Sequence, residues 1–213
     1  FHWHNPGYAD FNEFLQQFTA HKRKKLRRER RRVQEMGIDI TVLNGRELSH
    51  AQWHWVSTFY RQTFREKGGL DTLNRGFFQE IGASMGEQFI VFFASIAQQP
   101  VAASLCFRSD DTLYGRHWGS SGEYPGLHFE LCYYQGIEYC IQQGLKRFEP
   151  GAQGEYKISR GFTPTATWSA HWLAHGNCRL AIEKHVRHEN QLIDNDLLDL
   201  ASHLPFKHDV NGA

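Results

Sequence analysis

Between residues 88 and 120 lie three apolar runs, Gln88–Ala97, Pro100–Phe107 and Thr112–Ser120, separated only by Gln98-Gln99 and Arg108-Ser109-Asp110-Asp111. Connections this short join antiparallel neighbours, so the middle of the chain is a three-stranded meander. The first run is almost continuously apolar, the pattern of a strand buried on both faces. Pro100 suits the first residue of a strand, where a missing N–H does least harm. A sheet buried on both sides needs helices on both sides, and the flanking sequence supplies them. With 213 residues, 40% of them hydrophobic and 14% aromatic, the chain can build a substantial core.

Phe11, Phe14, Leu15 and Phe18, extended by Leu26, Val33 and Met36, have helical spacing and predict one long helix over 10–36, closed by Gly37. Ile38–Leu43 alternates as a strand. Ser49 with Gln52 has capping-box spacing for a helix that runs to Gly68-Gly69 and turns Trp53, Val56, Phe59, Tyr60 and Phe64 inward. A further helix over about 72–85 carries Leu73, Phe77, Ile81 and Met85 inward and stops at Gly86. Beyond the meander come a helix at 128–143 (Leu131, Tyr134, Ile137, Cys140 and Ile141 inward), a strand Leu145–Glu149, a strand Thr163–Leu173 and a helix at 178–193. The crossover from 112–120 through the helix to 145–149 is right-handed, which makes those strands parallel. The order predicts an α/β (α+β) domain at 38–204 with one mixed, mostly antiparallel sheet flanked by helices. An extension at 1–37 precedes it and a flexible tail at 205–213 follows.

The net charge of +1 hides an asymmetry: residues 21–32 hold nine Lys/Arg and one Glu, a local +8, so the remainder sums to −7. Lys24, Lys25, Arg27, Arg28 and Arg31 are candidate contacts for phosphates of RNA, of a nucleotide-linked substrate or of an acidic membrane surface; a solvated face against an acidic partner domain is the alternative. Cys106, Cys132, Cys140 and Cys178 form no CxxC pair or framework spacing, which points to free thiols in a reducing cytoplasm. No apolar run reaches membrane-spanning length. His171/His175 and His185/His188 have helical ligand spacing without a third partner, so no metal is expected. Walker, dinucleotide and Gly-x-Ser-x-Gly signatures are absent.

Residues 149–162, Glu-Pro-Gly-Ala-Gln-Gly-Glu-Tyr-Lys-Ile-Ser-Arg-Gly-Phe, concentrate carboxylates, cations and glycines just after a strand. Such a connection is either a binding loop or a solvated loop with ion pairs. Lys157 can stabilise a developing oxyanion or pair with Glu155, and Arg160 can fork to phosphate or pair with Glu149 or Glu155. Glu149, at a strand's C-terminal end, is the first candidate for general base and Glu155 the second. Tyr114, Arg116 and Trp118, at alternate positions of their strand, are candidate cleft residues with Gln153, whereas His117 has the opposite parity. His128 and Glu130 open the following helix, where a Glu complements the helix dipole.

Thr112–Gly119 (TLYGRHWG), His128–Gln135 (HFELCYYQ), Gly151–Phe162 and Thr165–Trp172 (TATWSAHW) together resemble the signature blocks of the FemAB-like family, bacterial peptidoglycan biosynthesis/recognition proteins. The element order likewise resembles the GNAT acyltransferase fold. The resemblance implies an N-acyltransferase that acts on an amine, such as one of a peptidoglycan precursor, or else a non-catalytic recognition module for a cell-wall precursor or RNA. It implies aminoacyl-tRNA or an acyl-CoA as donor. The Arg/Gln-x-x-Gly-x-Gly/Ala loop that cradles CoA in ordinary GNAT enzymes has no counterpart, because Arg75-Gly76 lacks the later glycines. In Fem proteins an aromatic–Lys pair in the loop after a comparable strand is implicated in transfer; Tyr156-Lys157 is the matching pair, with Tyr where this family usually has His. The family's usual chain carries a GNAT-like domain before the basic helix. The resemblance, with a start at Phe1, therefore implies a missing first domain.

Overall fold

A computed structural model describes residues 1–207 of the chain. Strands β1 (Trp3–His4), β2 (Ile38–Asn44), β3 (Phe89–Ile96), β4 (Gln99–Arg108), β5 (Thr112–Ser120) and β6 (Arg147–Glu149) form one sheet in the order β1-β6-β5-β4-β3-β2. Only β5 and β6 are parallel, as the right-handed crossover requires; every other pair is antiparallel. This is the mixed, mostly antiparallel arrangement expected.

β3 shows why its run is unbroken. Ile90, Phe92 and Ala94 point into one core, while Phe89, Val91 and Phe93 point into another. The first core lies under helices α1 (Phe11–Gln16), α2 (Ala20–Glu35), α5 (Leu127–Phe129) and α6 (Gln135–Gln142). The second lies under α3 (His50–Glu66) and α4 (Arg75–Met85). The expected capping box is present at Ser49–Gln52. α3 reaches β5 so closely that a Cβ on Gly119 would run into the Phe59 backbone; glycine there lets helix and strand touch.

Several expectations are corrected. The helix predicted over 10–36 breaks at 17–19, because Phe18 pairs with Phe206 and the Lys207 N–H bonds to the Gln17 carbonyl at 2.8 Å. Those bonds also dock residues 205–207, which are therefore not a loose tail; 208–213 lie outside the described residues. Nor does packing divide at residue 37. Trp3, Phe14, Phe18, Leu26 and Val33 share one core with β3 and α6, and β1 is part of the sheet.

The strand predicted at 163–173 is replaced by extended coil with a single bridge, Thr163 to His2, since β1 already occupies the free edge of β6. Leu73, Ile81 and Met85 pack on the second core as expected, but Phe78, against Tyr60, takes the buried place expected for Phe77, which is partly exposed. The final helix is longer than predicted, α7 (Gly176–Ser202), and buries no residue. Among the described residues no helix is long and apolar enough to cross a membrane.

Candidate active site

β5 and β6 pair only where Thr112–Tyr114 meets Arg147–Glu149; β5 then runs on to Ser120 with no strand beside it. The edge of β5 beyond Tyr114 therefore carries backbone groups without a ladder partner. After Glu149 the chain leaves the sheet through Gly151 and Gly154, whose φ angles of +97° and +106° exclude most side chains. On its other side β5 has a bulge: Leu105 faces His117 and Cys106 faces Gly115, so Arg116 is the extra, unpaired residue. Between α5 and α6, residues Glu130–Tyr134 widen into a π turn, a local distortion common at functional sites.

Two cavities open at this splay. One, of about 620 Å³, is bounded by β5, β6, residues 164–167 and the end of α7. The other, of about 460 Å³, lies among β5, the end of α3 and the π turn. Gly115, Arg116 and Gly151 line both. Their charges differ. The larger presents the carboxylates of Glu149 and Asp196 beside Arg116, whereas the smaller presents Lys67 and Arg116 and no carboxylate.

His117 and His128 also line the smaller cavity. Burial, and then Arg116, pushes His117 down to about 4. His128 is likewise pushed down to about 4, by burial first and then by Lys67, Arg160 and Lys157. Both imidazoles are thus neutral at pH 7, each with one unprotonated ring nitrogen. His128 stands edge-on between Trp118 and Tyr133, at 5.3 and 5.5 Å between ring centroids.

Behind the shared wall is a 3₁₀ turn, Glu155–Arg160, closed by Gly161 in a left-handed conformation. Its Lys157 is only 2% exposed, and its ammonium donates to the Gly151 carbonyl at 2.7 Å. Among the described residues no carboxylate pairs with it, and burial pulls its pKa down to about 8. The turn is held from outside by α2. Arg160 pairs with Glu29 at 3.0 Å, lies 3.5 Å over the Phe129 ring, and donates to the Tyr156 carbonyl at 2.9 Å. Glu29 also accepts from the Tyr134 hydroxyl. One residue on, Arg30 pairs with Glu130 at 2.9 Å and Glu138 at 2.7 Å, fixing the π turn.

The structure thus sorts the residues picked from sequence. Lys157 sits beside the splay, in neither solvent nor either cavity, and touches the shared wall only through its bond to Gly151. Glu149 lines the larger cavity but is 2.9 Å from the Arg147 guanidinium and 3.8 Å from His2. Glu155 and Gln153 are exposed and line neither cavity. Tyr156 is 46% exposed and accepts a 3.3 Å bond from the Tyr133 hydroxyl. Arg160 is occupied by Glu29, a partner that sequence proximity does not suggest, so it holds the turn and is not open to substrate. Tyr114 lines the larger cavity, Trp118 the smaller and Arg116 both, because the bulge breaks the strand's alternation. That same bulge brings in His117, which simple parity had set aside. Lys24, Lys25, Arg27, Arg28 and Arg31 are exposed on α2, away from both cavities.

Among solved structures, the chain is similar to an aminoglycoside acetyltransferase from an uncultured soil metagenomic sample, at 13% identity, covering 66% of this chain and 97% of that one, with a TM-score of 0.47. FemX matches at 11% identity over 64% of this chain and 49% of its own, with a TM-score of 0.49. L-PGS from Bacillus licheniformis matches at 16% identity over 71% of this chain and 45% of its own, with a TM-score of 0.48. No curated protein matches. The model of the FemAB-like family, described as peptidoglycan biosynthesis/recognition, matches residues 1–208, and the chain belongs to that family.

Proposed function

We propose that the domain is an N-acyltransferase that moves an acyl or aminoacyl group onto an amine at the splay between β5 and β6. The observation that carries this reading is the meeting, at Gly115, Arg116 and Gly151, of two cavities, one bearing carboxylates and the other only cationic charges. The cationic one suits a phosphate-bearing donor, such as aminoacyl-tRNA or an acyl-CoA, and the oxyanion formed at its carbonyl. The carboxylate-bearing one suits an amine acceptor, and the family points to a peptidoglycan precursor. The four free thiols fit a reducing compartment, so the reaction is assigned to the cytoplasm.

In this reading the acceptor amine attacks the donor carbonyl and loses a proton to the neutral imidazole of His128; the tetrahedral adduct then breaks the donor's ester or thioester bond, and the imidazolium gives that proton to the departing tRNA hydroxyl or CoA thiol. The unpaired edge of β5 and Arg116 face the developing negative charge. Lys157 is a positioning residue: it pins Gly151 and adds positive potential behind the reacting carbonyl. Glu149, held between Arg147 and His2, orients the acceptor ammonium before deprotonation.

The test is transfer to a lysine-containing muramyl pentapeptide precursor, with labelled aminoacyl-tRNA and acetyl-CoA offered as donors and the product read by mass spectrometry. A mass gain that Arg116→Ala lowers at least tenfold supports the proposal. Transfer that is unaffected by Arg116→Ala and His128→Gln would place the chemistry elsewhere, and no gain with either donor would favour a recognition module.

A further inference from the structure

α2 violates the local rules of helix stability on its outer face. Its first turn has no acidic residue, Thr19 makes no side-chain cap bond, and Lys22, Arg23 and Lys24 crowd the positive end of the helix dipole. Lys24/Arg28, Arg27/Arg31 and Arg28/Arg32 are like-charge neighbours one turn apart. Only two carboxylates lie in the helix. Glu29 is turned inward to Arg160, and Glu35 meets Arg31 alone, at 3.4 Å in solvent. Local conflicts of this kind mark functional surfaces when the rest of an element is consistent, and here it is: Leu26 and Val33 are buried, and Glu29 and Arg30 are locked to the domain.

The outer stripe is also shaped. Ala20, Arg23, Lys24, Arg27, Arg28 and Arg31 surround a shallow groove of about 260 Å³ along the helix. Residues 20–31 rise about 16 Å, a length over which one nucleic-acid strand presents roughly five phosphates. A membrane surface fits less well, since amphipathic membrane helices insert an apolar face and the apolar side chains of this helix, Leu26 and Val33, face the core.

We infer that the outer face of α2 binds the phosphate backbone of a nucleic acid, with Lys24, Arg27, Arg28 and Arg31 as the principal contacts, at a site separate from the two cavities. It does not depend on the transferase reading. Because the groove is lined by Ala20 and cationic side chains, with no aromatic ring on which a base could stack, binding is indifferent to sequence. Because α2 is clamped on its inner face, the charges are pre-positioned.

The experiment is fluorescence anisotropy of a labelled 16-nucleotide RNA of mixed sequence with the wild-type chain and with Lys24→Glu/Arg27→Glu/Arg28→Glu/Arg31→Glu, over a range of salt concentrations. Circular dichroism checks that the variant is folded. Should the variant not fold, Arg27→Gln/Arg28→Gln takes its place. The inference predicts a log–log salt slope near −3, about −0.7 for each of four phosphates, and a loss of affinity of at least tenfold in the charge-reversed variant. Equal binding by both proteins, or tighter capture of polyglutamate or of vesicles with 30% anionic lipid than of RNA, would overturn it.

Discussion

The molecule has two cationic regions built from the same residue types, and they behave oppositely. In the turn at 155–160, Lys157 and Arg160 are 2% and 5% exposed, and each is tied to a named oxygen. On the outer face of α2, Lys24, Arg27 and Arg28 stand in solvent and make no ion pair among the described residues. A buried cation is governed by desolvation, so its removal changes stability and pKa. An exposed cation is governed by whatever anion arrives, so its removal changes binding. α2 joins the two regions, since Glu29 and Arg30 on its inner side hold the turns behind the site while its outer side remains free.

The contrast is best broken at Arg160. Arg160→Ala strands Glu29 and removes the cation from the Phe129 face, and should lower stability by about 3 kcal/mol in urea unfolding. A loss below about 0.5 kcal/mol would mean that the pair is solvated and that the two regions are alike.

Lys157 should respond in the opposite sense. Its ammonium is buried, and among the described residues no carboxylate pairs with it, so Lys157→Met should raise stability at pH 7 by about 1–2 kcal/mol while lowering transfer. The pH dependence gives the sign. Lys157 is pulled down to about 8, whereas the unfolded chain keeps an ordinary lysine near 10.5. Between these values the unfolded state binds more protons, so this residue makes wild-type stability rise with pH. The advantage of Lys157→Met should therefore shrink from pH 8 to 10.5, and the difference between the two unfolding curves isolates Lys157 from the buried thiols and phenols.

His117 and His128 give a smaller effect at the acid end. Both are pushed down to about 4, from an ordinary value near 6.5, by burial first. Stability that is present above pH 6.5 should be lost as pH falls through 4, by about 1 kcal/mol for each. His128→Gln should flatten that slope, and an unchanged acid limb would remove the imidazole from its buried setting. Smallest of all is the effect on folding of reversing the outer α2 charges. Acidic residues near a helix start suit its dipole, so the change in stability should stay within about 0.5 kcal/mol, in the stabilising direction.

Where local chemistry decides structure, the sequence was readable. The meander, the capping box at Ser49–Gln52, the parallel crossover and the inward face Leu131, Tyr134, Ile137, Cys140 and Ile141 follow from spacing and turn residues alone. Where a distant segment decides, it was not. Nothing near Thr163 announces that Trp3–His4 takes the edge of β6, and nothing near Phe18 announces Phe206. The site shows the same division. Lys157 and Arg116 stand out as charges beside glycines. The roles of Glu29 and His117 depend on a contact 131 residues away and on a one-residue bulge, and neither leaves a periodic trace.

Transfer as proposed needs the Lys157 amine held dry against Gly151 at the wall shared by the two cavities. A titration of ¹³Cε-labelled lysine by NMR, with Lys157→Met to assign the signal, tests this directly. The account predicts that the Lys157 resonance titrates near pH 8 and moves when an acyl donor is added. Titration near 10.5, unchanged by donor, would show an ordinary surface lysine and contradict it.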